Sequence, residues 1–152
     1  MAGRTARKHR VAKVALREDE QHLRRSGKVL QKNYSIIKNK RIVGNVILDF
    51  DLKAYPDNWD TKHLKKSDLG IASIHVDNEY RSKGIGSKIL KKLTTVARKS
   101  KRKRLVLVVY DWNSRAKKFY KKEGFEPVGT SKYQGKRDQK KHKTVIVMAK
   151  KV

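Results

Sequence analysis

Cysteine is absent from the 152 residues, which excludes disulfides, thiolate metal sites and a cysteine nucleophile. Acidic residues are scarce: 14 Asp and Glu face 41 Lys and Arg, giving a formal net charge of +27. No run approaches the ~20 apolar residues of a membrane span, and the N-terminus lacks the apolar stretch of a secretory signal. A soluble, cytoplasmic protein without a membrane partner is expected. His9, His22, His63, His75 and His142 show no ligand spacing, so no metal site is expected. Hydrophobic residues make up only 37%, yet they gather into periodic segments between Tyr34 and Val147, so the middle of the chain should fold. The length suits one domain with a core of its own. Residues 1–31 read as a basic arm with a weak helix, and residues 32–152 as that single domain.

The charge is the loudest feature present. A surface this basic repels itself and is neutralised by a polyanion, so association with nucleic acid or a ribonucleoprotein is expected, on the nucleoid or ribosome. Met1 to Arg17 carries six Lys and Arg and no acid. It reads either as a phosphate-binding tail or as a solvated terminus. Glu18 to Gln31 places Leu23, Val29 and Leu30 among charges, a weak amphipathic helix interrupted by Ser26-Gly27.

From Tyr34 the period changes to that of strands. Tyr34–Ile37, the polar turn Lys38–Arg41 and Ile42–Leu48 read as an antiparallel hairpin. Asp51 to Leu69 has little periodicity and reads as a long surface loop, in which Tyr55 and Trp59 either line an acceptor pocket or pack the loop onto the body. Ile71–Val76 is a short run rich in branched residues, a strand; alternation would put Ile71, Ser73 and His75 on one face and Ala72, Ile74 and Val76 on the other. After it comes Arg81-Ser82-Lys83-Gly84-Ile85-Gly86. Ile85, Ile89, Leu93, Val96 and Ala97 then form a helical stripe reaching Lys99. The glycines therefore sit at a helix N-terminus, where free amides and the positive end of the helix dipole favour an anion. A P-loop is excluded by the missing glycine upstream of Ser87-Lys88, and a dinucleotide fingerprint by Ile89 at its third glycine. An ordinary glycine-containing helix start stays open on these six residues alone.

The unbroken apolar run Leu105–Val109 predicts a strand buried on both faces, as in parallel pairing, and the strand–helix–strand unit should cross over right-handedly. Asp111 to Gly129 then gives an Asn113/Ser114 helix start, an apolar side of Ala116, Phe119 and Tyr120, and Gly124 as a stop. The last segments are strands near 128–133 and Thr144–Met148, flanking a hydrophilic loop whose Lys136, Arg137, Lys140, Lys141, His142 and Lys143 are opposed only by Asp138.

The pair of signatures Arg-x-x-Gly-x-Gly and Asn-x-x-Ala-x-x-Phe-Tyr-x-x-x-Gly-Phe, with a buried strand between, resembles the GNAT N-acetyltransferase family over roughly Tyr34 to Met148. The resemblance implies an α/β fold with a mixed, mostly antiparallel sheet and helices on both faces, and acetyl-coenzyme A as cofactor. It places the pyrophosphate against the backbone of Arg81, Ser82, Lys83, Gly84, Ile85 and Gly86. The pantetheine arm would lie along Ile74 and Val76, where the strand is splayed, and against Asn113. Tyr120 matches the family's general acid, and a phenol is protonated at neutral pH, as donation to a leaving thiolate requires. The base is less determined. Asp68 falls where peptide-acetylating members place a glutamate, and His75 is the alternative because imidazole changes charge near neutrality. Tyr133 resembles a tyrosine that such members use near the substrate. Family members begin with a strand and two helices that shape the acceptor side, whereas only about thirty residues precede Tyr34 here, so an altered entrance is implied. The expected reaction is acetyl transfer to an N-terminal or lysine amine of a protein or peptide on a nucleic-acid-associated target. Acetylation of aminoacyl-tRNA, and a non-catalytic nucleic-acid-binding role for the same fold, are the alternatives.

Overall fold

Period-2 burial builds most of the sheet. In β3 (Lys28–Lys38) Leu30, Tyr34 and Ile36 are buried, and in β4 (Arg41–Asp49) Val46 and Leu48 are. The computed structural model describes residues 13–19, 23–55, 59, 61–81, 83–132 and 144–152. Before β3 come β1 (Val14–Glu18) and the short β2 (Leu23–Arg25). After β4 follow β5 (Asp68–Val76), α1 (Ile85–Lys99), β6 (Arg104–Tyr110), α2 (Ser114–Lys122), β7 (Glu126–Lys132) and β8 (Thr144–Lys151). The sheet order is β1-β3-β4-β5-β6-β8-β7, with β2 paired to β3. Every pairing is antiparallel except β5 with β6.

The larger core lies between one face of the sheet and the two α-helices. Ile85, Ile89, Leu90, Leu93 and Ala97 of α1 pack there with Leu48, Leu69, Ile71 and Leu107, and Ala116, Phe119 and Tyr120 of α2 join at the margin. Each large side chain so buried contributes about 1.5–3 kcal/mol. The opposite face is covered by 3-10 turns at Leu52–Ala54 and Thr61–His63, whose Leu52 and neighbouring Trp59 pack on Val106 and Ala149. Among the described residues, helices on both faces are thus two α-helices on one side and short 3-10 turns on the other. Strand β6 is buried on both faces as its unbroken apolar run predicts, with Leu105 and Leu107 in one cluster and Val106 in the other.

Three expectations are corrected. The weak helix expected over Glu18–Gln31 is strand and turn in its described part: Ser26 and Gly27 have φ of 51° and 75°, a two-residue hairpin turn linking β2 to β3. Val14 and Leu16 lean on the larger core, and β1 pairs with β3, so this part of the arm belongs to the sheet. The segment after Asp51 is not simply a surface loop, because Leu52 and Trp59 are buried and Asp68 already opens β5. Finally, the faces of β5 do not alternate as expected. Ile47 pairs with Ser73 but Leu48 with Ile71, so Ala72 is an extra residue, a bulge. The bulge puts Ile74 and Val76 on the same core side as Leu69 and Ile71, and leaves His75 exposed.

The feature that prepares a site is a fork in the sheet. Strands β5 and β6 pair over only three residue pairs, Asp68 with Arg104 through Gly70 with Val106, and then separate. Beyond Gly70, β5 stays paired to β4 and β6 to β8. The edges of β5 and β6 that face each other past that point therefore carry backbone donors and acceptors without a strand partner.

Candidate active site

A cleft of about 530 Å³ opens where the fork widens. Ile74 and Val76 of β5 form one wall, the start of α1 closes one end, and Asn113, Arg115, Ala116, Phe119 and Tyr120 supply the other wall. Gly84 caps α1 with φ of 75° and offers no side-chain cap, and the first turn contains no acidic residue. The leading amides of the helix are thus left to an incoming anion. Space at the second glycine is set by packing: a Cβ on Gly86 would lie 3.0 Å from the Phe119 ring. Arg81 reaches back to donate from Nε to the Val76 carbonyl at 2.9 Å, which holds the connecting segment against the end of β5.

Asn113 caps α2 by accepting the Ala116 N–H on its side-chain oxygen at 3.1 Å. Its carboxamide nitrogen remains a donor. Gly124, at φ of 96°, ends α2, and the Phe125 N–H returns to the Tyr120 carbonyl. Tyr120 is thereby fixed at the last turn, edge-on to Phe119 at 5.2 Å and to Phe125 at 5.6 Å. Burial pushes its phenol pKa up, so the hydroxyl keeps its proton throughout the neutral range.

Most sequence-predicted residues meet here: Ile74, Val76, Arg81, Gly84, Ile85, Gly86, Asn113 and Tyr120 all line the one cleft. Lys83 is exposed near its end. Ser82, Tyr133 and the basic loop 134–143 lie outside the described residues. Asp68 is not brought to the cleft. Its carboxylate is buried at the start of β5 and takes a bidentate pair from Arg104, at 2.9 and 2.8 Å, and the Lys65 N–H at 2.7 Å. Six residues of extended chain, about 20 Å, separate it from Ile74. The base assignment to Asp68 is therefore corrected: both carboxylate oxygens are engaged at the apex of the fork, away from the cleft. His75 lies on the opposite side of β5 from the cleft-lining Ile74 and Val76, exposed, with Nε2 3.6 Å from the Asp77 carboxylate. Trp59 takes the packing role, donating from its indole N–H to the buried Asp49 at 2.8 Å. Sequence reasoning missed Tyr80, Ser87 and Arg115 as lining residues; Arg115 lies at an unconstrained position of the second signature and had no periodic signal.

The cleft suits a long thiol cofactor with a diphosphate: free amides at the end for the phosphates, an unpaired strand edge for an amide-bearing arm, and a protonated phenol at the inner wall. Fold and site together fit the class of domains that take an acyl-coenzyme A. A family model described as Acetyltransferase (GNAT) family matches residues 8–125, and the chain belongs to that family. A curated relative, thialysine N-epsilon-acetyltransferase of Bos taurus, is 45% identical over 60 residues, covering 40% of this chain and 35% of its own length. The chain thus matches about a third of the length of that relative. Among solved structures, a GNAT family acetyltransferase from Elizabethkingia anophelis with acetyl-CoA bound superposes with a TM-score of 0.66 at 16% identity, covering 91% of this chain and 98% of that one. The ribosomal-protein-S18-alanine N-acetyltransferase from Escherichia coli superposes with a TM-score of 0.59 at 20% identity, covering 88% and 71%. At such identities the two structures bear on the fold.

Proposed function

We propose that the chain is an N-acetyltransferase that moves acetyl from acetyl-coenzyme A to an amine of a protein or peptide, N-terminal or lysine, on a nucleic-acid-associated target. The observation that carries this reading is the continuous cleft from the uncapped start of α1, along the unpaired edge of β5, to Tyr120. Acetyl-coenzyme A supplies an activated acyl carbon and a thiol leaving group. The amides of Ile85, Gly86 and Ser87 and the guanidinium of Arg81 bind the diphosphate. Backbone groups of Ile74 and Val76 and the carboxamide of Asn113 align the arm. Tyr120 holds the proton that the departing sulfur requires, and burial keeps that proton in place at working pH. With Asp68 committed to Arg104 and His75 on the far side of β5, neither takes the proton directly, and the proton that the amine gives up leaves to solvent at the open cleft.

The name of the curated relative points to an ε-amine and that of the S18-alanine enzyme to a protein α-amine; both are amines, and the choice between them is left to experiment. The charge of +27, with ten Lys and Arg and no acid in α1 and α2, supports a target that carries or sits beside a polyanion. Incubation with labelled acetyl-coenzyme A and separate panels of lysine peptides, free N-terminal peptides and aminoacyl-tRNA tests the reading. Label in a peptide supports it; label in tRNA moves the acceptor; no label in any panel, with the cofactor bound, leaves a coenzyme-binding protein without transfer. Gly86→Glu, which sets a carboxylate against the diphosphate, should abolish cofactor binding by calorimetry, and unchanged affinity would refute the loop assignment.

A further inference from the structure

A second cavity, about 550 Å³ and so similar in volume to the first, lies at the other end of β5. It is lined by Phe50, Leu52 and Leu64, and by the cations Lys28, Lys53, Lys65, Lys66 and Arg102 with Asp51 and Asp68. Both carboxylates are already engaged: Asp51 by Lys28 at 3.5 Å, and Asp68 by Arg104 and the Lys65 N–H. Among the described residues, no carboxylate pairs with Lys53, Lys65, Lys66 or Arg102. Arg102 spends one nitrogen on the Lys66 and Asp68 carbonyls, at 3.4 and 3.2 Å, and its other N–H groups stay available. Its guanidinium sits 5.4 Å from the centre of the Phe50 ring, which Lys32 also approaches at 5.3 Å.

An anion alone would find the lysines sufficient; the apolar floor and the guanidinium over an aromatic ring add a surface for a planar group. Phosphates beside a base combine both chemistries, and single strands expose bases for such stacking. We infer that this cavity binds a segment of single-stranded nucleic acid, its phosphodiesters on Lys53, Lys65, Lys66 and Arg102 and a base against the Phe50–Arg102 surface. The site is separated from the cleft by the stretch of β5 from Asp68 to Ile74, about 20 Å, so the inference goes beyond the transferase reading and stands or falls apart from it.

The test uses the full chain and fluorescence anisotropy with a labelled oligomer of about 12 nucleotides, as single-stranded RNA, as single-stranded DNA of the same sequence, and as the DNA duplex. Lys65→Glu/Lys66→Glu is compared with Lys91→Glu/Lys92→Glu, the same change of charge on the exposed side of α1; circular dichroism melts check that both fold. Loss of about tenfold or more in single-strand affinity for the first pair, with a shallower salt dependence, and of about threefold or less for the second supports the site. Lys53→Glu should move affinity the same way in case the double variant melts early. Equal losses in the two pairs would mean a diffuse charge effect and overturn the site, as would no loss in either, no binding by the wild type, or duplex binding that exceeds single-strand binding and ignores Lys65 and Lys66. Preference between the RNA and DNA arms then names the source of the strand.

Discussion

Tyr120 and Asp68 divide the chemistry from the scaffold. Tyr120 lines the cleft while its ring packs on Phe119 and Phe125, so Tyr120→Phe removes the proton and keeps the packing. The transfer rate should fall by about 10²–10⁴ with cofactor affinity held within a few-fold, read by steady-state kinetics and calorimetry. Retention of full activity would leave Tyr120 a core aromatic. Asp68→Asn is the counterpart. Its partner Arg104 has a side chain only 13% exposed, and breaking one side of so buried a pair costs about 3 kcal/mol or more. Chemical denaturation should show that loss, while the rate well below the melting transition changes less than about threefold; a drop of 10²-fold would restore Asp68 as the base. Tyr34 sets a further limit, at high pH. Burial, with a smaller contribution from Glu18, pushes its phenol up to about 12, whereas an unfolded tyrosine titrates near 10. The unfolded state therefore loses this proton first, and the stability it represents is whole below pH ~10 and drains between about 10 and 12. Denaturation midpoints measured across that range should fall less steeply in Tyr34→Phe, a comparison in which the lysines titrate equally on both sides.

Among the elements, turns decided what the sequence could tell. Long periodic pieces were legible: the stripe from Ile85 to Ala97 is α1, the unbroken run at Leu105 is β6, and Asn113 with Gly124 brackets α2. Each of these signals is local. The strands before Lys28 were not legible, because Leu23, Val29 and Leu30 fit a helical spacing that only the left-handed turn at Ser26 and Gly27 breaks. Nor was the face of β5, since a single extra residue at Ala72 reverses the alternation and is specified by the pairing with β4 rather than by β5 itself. Asp68 was misassigned for a similar reason: its partner Arg104 is distant in sequence, and only the parallel register of β5 with β6 brings them together. The β3–β4 turn carries a testable local conflict. Asn39 and Lys40 have φ of 50° and 62°, and a lysine at that angle costs about 1–2 kcal/mol relative to glycine, partly offset by the freedom glycine gains in the unfolded chain. Lys40→Gly should stabilise by about 0.5–1 kcal/mol and raise the melting temperature by about 1–4 °C; a lower melting temperature would contradict the turn geometry.

At the scale of the whole molecule, charge and architecture were legible to different depths. The excess of Lys and Arg is evident from counting, but where cations have no paired carboxylate among the described residues is a property of the folded surface, as at Lys53, Lys65 and Lys66. The acceptor side was the least legible part. Leu52, Trp59 and Leu64 pack on that face of the sheet, pinned by the Trp59–Asp49 bond. Nothing in the composition there advertised this, because Leu52, Trp59 and Leu64 share no period. The fork between β5 and β6 carries a further consequence. Three residue pairs, one guanidinium–carboxylate bridge and the Arg102 bonds to the Lys66 and Asp68 carbonyls stitch those two strands at one end among the described residues, so the halves of the sheet should breathe about that suture. A ligand arm laid into the gap would act as a borrowed strand, and coenzyme A should slow hydrogen exchange at the amides of residues 72–76 while those of β3 stay as they were.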